Sequence, residues 1–215
     1  MKKKWLINSI VLLVISILYT LAIKFIDVAA IAADGSKVGF ASINIFFFNL
    51  IGKHLLWYKI TKYLGVIPIL MALCYALIGL SQLIKGKSIK KVNKQIIALG
   101  IFYIIFVIVY IFFEKVAINY RPIFIDGKIE SSYPSTHTLL AICICGSSLL
   151  ISKYIFKKNF LKIINIFTWI LMILIVAGRL ISGVHWFSDI LGGIIISLFM
   201  LSSLYTAILY LDDKK

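Results

Sequence analysis

The chain has 215 residues, 62% of them hydrophobic and 14% charged, with a mean hydropathy of +1.05. Soluble domains are about half apolar, so a soluble globular protein is excluded. The net charge of +15 lies largely in short lysine-rich loops between apolar runs, as the positive-inside rule predicts, and not in a basic stripe interleaved with stacking aromatics, so nucleic acid is not the expected partner.

In chain order, six apolar runs predict spanning helices in one all-α membrane domain covering residues 1–215. The first runs from Trp5 to Phe25, after Lys2, Lys3 and Lys4. The small-residue pattern Ala30-Ile31-Ala32 resembles a signal-peptide cleavage site, but an apolar run of about 19 residues exceeds the 7 to 15 of a signal core. Gly39 to Gly52 is 14 uncharged residues including Phe46, Phe47 and Phe48, too short for a span. Residues 39–63 are therefore expected to be an interfacial segment, with Trp57, Tyr58 and Tyr63 at headgroup level and His54 beside them.

The second and third runs are Ile67 to Ile84 and Gln95 to Phe113. The fourth, Thr138 to Ile151, is short for a span, but its flanks and the charge pattern require a crossing there. Phe160 to Ala177 and Ile190 to Leu211 complete the set. Cys74, Cys143 and Cys145 all lie inside apolar runs without metal-ligand spacing and read as packing residues.

Six crossings place both termini on one side. That side carries 14 basic residues against Asp212 and Asp213, a net +12, whereas the other carries 9 basic residues against six acids, a net +3 over longer loops. The expected topology has both termini in the cytoplasm of a bacterial cell and residues 114–137 and 178–189 outside.

Polar groups are costly near hydrocarbon, so the places where scarce polar types gather are informative. Of the 23 basic residues only Arg121 and Arg179 are arginine. Both stand close to histidines: Arg121-Pro122 follows the third run, Tyr133-Pro134-Ser135-Thr136-His137 precedes the fourth, and Arg179 to Asp189, with His185, precedes the sixth. Arginine presents a planar fork to phosphate oxygens, and this chain uses lysine for bulk charge. His185 and Asp189 are four apart, so a helix beginning at Val184 would put them on one face, with the carboxylate fixing the imidazole tautomer. An ordinary helix start, with Asp189 favoured by the macrodipole, is the alternative. Ser135 is a candidate helix N-cap as well as a candidate anion ligand.

These three segments, in this order, resemble the motifs of the type 2 phosphatidic acid phosphatase superfamily of integral membrane lipid phosphatases: K-x6-R-P, then P-S-G-H, then S-R-x5-H-x3-D. The third motif matches at Arg179, His185 and Asp189, with Gly178 in place of serine. The second reads Pro134-Ser135-Thr136-His137, with threonine for glycine. The first keeps Arg121-Pro122, but Glu114 stands at the lysine spacing and Lys115 is one place late.

The resemblance implies that His185 attacks phosphorus, Asp189 orients it, and His137 protonates the leaving oxygen. Arg121, Arg179, Ser135 and the Thr136 N–H would hold the phosphoryl oxygens, and at the missing lysine either Lys115 reaches in from about 100° around the helix or Glu114 faces elsewhere, for instance toward Arg121. It implies no metal or other cofactor and no obligate protein partner beyond the bilayer and its lipid phosphates. Undecaprenyl diphosphate, phosphatidylglycerophosphate and phosphatidic acid are the substrates in view. The rival readings are a phosphate or headgroup transferase using the same site and, because of Glu114, a non-catalytic lipid-binding or scaffold relative.

Overall fold

The computed structural model describes residues 1–212. Asp213, Lys214 and Lys215, counted in the charge asymmetry above, lie outside the described residues. The helices are α1 (Lys2–Phe25), α2 (Ala41–Ile51), α3 (Leu55–Leu64), α4 (Val66–Gly86), α5 (Lys94–Lys115), α6 (Thr136–Ile151), α7 (Lys158–Ile181) and α8 (Phe187–Asp212). A two-residue antiparallel pair, β1 (Ala29–Ala30) and β2 (Lys37–Val38), follows α1. Six segments are long and apolar enough to cross a membrane, and α2 is too short, as its 14-residue uncharged stretch predicts.

Two boundaries change the reading of the site. The fifth predicted run ends at Ala177, yet α7 continues to Ile181, so Arg179 is helical and not in a loop. The last helix begins at Phe187, so His185 precedes it instead of sharing its face with Asp189.

The short fourth run is the centre of the bundle. Within its most apolar window α6 is 67% buried, against 17% for α1, and it has the lowest hydropathy of the six. A helix surrounded by other helices need not be greasy on every side. Cys143, Cys145, Gly146, Ser147 and Ser148 are all buried on it and let neighbours approach. Cys74 on α4 is exposed.

α8 is the second organising element. α1 packs along it through a polar seam in which Asn8 Nδ2 donates to Ser202 Oγ at 3.0 Å and Ser9 Oγ lies 2.9 Å from Ser202 Oγ and 3.2 Å from Thr206 Oγ1. At the far end from the histidines, Asp212 accepts from Gln95 Nε2 and Tyr154 Oη, joining α5, the turn after α6 and α8. Nearer the histidines, Gly192 meets the Tyr133 ring, and Gly193 faces Thr138 and the Ser135 carbonyl. These two glycines bring the start of α6 against α8.

Interhelical hydrogen bonds inside membranes average about 0.6 kcal/mol. Ser202→Ala should therefore lower the thermal midpoint of detergent-solubilised protein only slightly. Gly192→Ala, whose methyl would overlap Tyr133, should lower it more, and differential scanning fluorimetry on the two variants checks the order.

Candidate active site

The three polar segments meet at one end of the bundle. Between α5 and α6 the chain forms a short hairpin, with bridges Tyr120↔Ser131 and Ile125↔Lys128 around Asp126-Gly127, both at positive φ. Asp-Gly is a preferred pair for such a tight turn. Across the hairpin Arg121 Nη2 pairs with Glu130 at 3.0 Å. Glu130, not Glu114, is thus the carboxylate that meets Arg121. Glu114 is exposed near the end of α5 and interacts with Tyr110, which also contacts Thr136.

Backbone bonds then join the segments. Ser135 N donates to the Asp189 carbonyl at 3.0 Å, linking the second motif to the third. Trp186 Nε1 donates to the Tyr120 carbonyl at 2.7 Å, linking the third to the first. Ser135 occupies the N-cap position of α6, but its side chain does not cap. Its hydroxyl instead accepts from Thr138 Oγ1 at 3.0 Å. The first-turn N–H groups, that of Thr136 among them, are left without a side-chain acceptor.

His185 is fully enclosed. Its Nδ1 lies 3.0 Å from the Ser132 carbonyl, which can only accept, so Nδ1 carries the proton. The expected orienting partner, Asp189, stands further off, with Oδ2 at 3.9 Å from the same nitrogen. That oxygen accepts from Trp186 N at 2.9 Å, and Oδ1 from Asn119 Nδ2 at 3.3 Å. Asp189 is the third residue of α8, and its bond back to the N-cap amide is half of a capping box. The carboxylate thus fixes the loop that carries His185, while a carbonyl fixes the ring.

Burial holds the His185 imidazole well below its ordinary range, and the nearby Arg121 and Arg179 push the same way. The ring is neutral, with an unprotonated and buried Nε2 that has no partner among the described residues. Four guanidinium nitrogens share that condition: Nε and Nη1 of Arg121, and Nε and Nη2 of Arg179. Arg179 is 1% exposed and has the Tyr58 ring 5.1 Å from its Cζ. His137 is partly buried and feels both arginines electrostatically. Unpaired buried donors near a neutral imidazole are the chemistry that suits an anion.

Several contributing residues carry no motif. Tyr58, expected at headgroup level, is under Arg179. Trp57 and Thr61 of the same helix close on Gly178, where a Cβ would stand 2.5 Å from Thr61 Cγ2. That contact gives a physical reason for glycine at the motif serine position. Asn44 of α2 donates to Ser188 Oγ and to the Gly39 carbonyl, and accepts from Ser188 N. Gly39 N in turn donates to Asn119 Oδ1. The scarcity of amides in the apolar stretch around Asn44 was a usable signal. Lys115 is exposed at the end of α5. Among the described residues no three His, Cys, Asp or Glu side chains gather as a metal cluster.

Two outcomes follow. In detergent at pH 6.5, ¹⁵N spectra should show His185 neutral with its proton on Nδ1, because its depressed pKa keeps the ring uncharged until the pH falls well below that value. Gly178→Ser should lower the thermal midpoint, and adding Thr61→Ser, which removes the opposing methyl, should recover part of the loss.

Among solved structures, the chain is similar to the first transmembrane PAP2-type phosphatidylglycerolphosphate phosphatase from Bacillus subtilis, with 18% identity, 96% of each chain covered and a TM-score of 0.56. At that identity the likeness establishes a shared fold. No curated protein matches the sequence. The PAP2 superfamily model matches residues 98–213, which span the hairpin, both histidines and both arginines. With its motifs carried by one end of a six-span bundle and matched over more than half its length, this chain belongs to the PAP2 superfamily.

Proposed function

We propose that the protein is a phosphatase of membrane lipid phosphates or diphosphates that works through a phosphohistidine on His185. The observation that carries this reading is the convergence of unpaired, buried guanidinium nitrogens on a neutral imidazole whose Nε2 is free. Nε2 attacks phosphorus as the bond to the leaving oxygen breaks, and His137, which takes up a proton once the phosphate anion offsets the neighbouring cations, gives it to that oxygen. Water then attacks the phosphohistidine, returning a proton to His137 and releasing inorganic phosphate and neutral His185.

Arg121 and Arg179 stabilise the equatorial oxygens as negative charge spreads in the transition state, with the Ser135 hydroxyl and Thr136 N–H beside them. Asp189 stands 3.9 Å from Nδ1 and would stabilise the positive ring that forms on attack. The charge comes from side chains and the proton from histidine, so the reaction as written needs no metal.

An apolar groove of about 490 Å³ supports a lipid substrate. It is lined from Leu180 and Phe187, beside the histidine loop, to Leu198 and Leu201 further along α8. A chain lying there would hang from a headgroup held at the arginines. The charge asymmetry supports an outward-facing site in a bacterial cell membrane, with both termini inside.

Purified protein should release phosphate from at least one of undecaprenyl diphosphate, phosphatidylglycerophosphate and phosphatidic acid in mixed micelles. His185→Ala should abolish release, orthovanadate should inhibit it, and EDTA should leave it unchanged. Full turnover by His185→Ala, or dependence on added metal, excludes the mechanism. For sidedness, in a Cys74→Ala background, Lys128→Cys should react with a membrane-impermeant thiol reagent on intact cells, and Lys90→Cys should not.

A further inference from the structure

α3 turns one face toward the site. Tyr58 lies over Arg179, Thr61 closes on Gly178, and at Gly65 a Cβ would stand 3.0 Å from His137 Cδ2. Positions 58, 61, 62 and 65 repeat at the spacing of a single helix face. Lys62 therefore belongs to the face that touches Arg179, Gly178 and His137. Its side chain is exposed, so its four-carbon stem can carry the ammonium toward a ligand.

α3, which carries Lys62, meets His137 directly through Gly65, and Lys62 acts electrostatically on His137 alongside Arg121 and Arg179. On the proposed mechanism, on which this inference rests, His185 marks the side of attack and His137 the side from which the leaving oxygen departs. A cation beside His137 serves the leaving group. Meanwhile the motif lysine position holds Glu114, exposed and engaged with Tyr110, so the first motif supplies no cation there.

We infer that Lys62 is a substrate-binding residue on the leaving-group side of the site, and that it selects lipids whose leaving group carries a second phosphate, a prenyl diphosphate over a prenyl monophosphate. With a diphosphate, the leaving group is itself a phosphate anion that a lysine can pair. With a monophosphate it is a neutral alcohol once protonated, and Lys62 has no charge to meet.

Binding to the full-length His185→Ala protein, measured by calorimetry in detergent with farnesyl diphosphate and farnesyl monophosphate, tests this without turnover. Adding Lys62→Gln should weaken diphosphate binding about tenfold or more, the loss typical of one charge-assisted hydrogen bond, and monophosphate binding by less than about threefold. Lys62→Arg should keep the preference, and Lys59→Gln, on the flank of α3, should change neither affinity. An unchanged preference in Lys62→Gln, or equal weakening of both ligands, overturns the assignment. Failure of both lipids to bind overturns it together with the proposed function. Binding with the expected Lys62 dependence, but no phosphate release by the wild-type protein, counts against the phosphatase reading alone.

Discussion

The arrangement turns on a guanidinium that the fold has buried with no carboxylate against it among the described residues. Arg179 is 1% exposed, two of its nitrogens have no acceptor there, and the face of Tyr58 lies against it. A buried charge without a counter-ion opposes folding, and the more so at the end of a membrane bundle. Arg121 is better off, since one nitrogen reaches Glu130, but its other two are equally unpartnered. An anion bound between the two arginines would offset that cost. Burial keeps His185 neutral, and the same two charges push in the same direction.

Small residues build that cluster. At Gly39 a Cβ would overlap the Ile23 carbonyl, at Gly178 it would press on Thr61, and at Gly192 it would enter the Tyr133 ring. Each glycine brings two elements close enough for backbone bonds to join the motifs, as Ser135 N does with the Asp189 carbonyl. Asn44 and Asn119 then hydrogen-bond the first turn of α8 from the other side. Hydrogen bonds and close glycine contacts tie the polar end together, while the groove along α8 is apolar.

The departures from the family motifs have physical accounts in the packing. Glycine replaces serine before Arg179 because α3 occupies the space. Glutamate at the lysine spacing is tolerated because it is solvent-facing and held by Tyr110, while Arg121 takes Glu130 across the hairpin. The first of these changes involves α3, which lies before the residues that the superfamily model matches.

The sequence by itself determined the membrane class, the six crossings and the cluster of chemistry-bearing residues. These follow from composition, run length and the rarity of arginine and histidine in an apolar chain, all of which are local or additive. The tertiary structure decided which group orients His185, because the Ser132 carbonyl lies far along the chain and backbone acceptors leave no mark in a motif. It also decided the role of α3. An amphipathic stretch with Trp57, Tyr58 and Lys62 fits a membrane surface and an active-site wall equally well in sequence, and only its docking on Gly178 and His137 distinguishes the two.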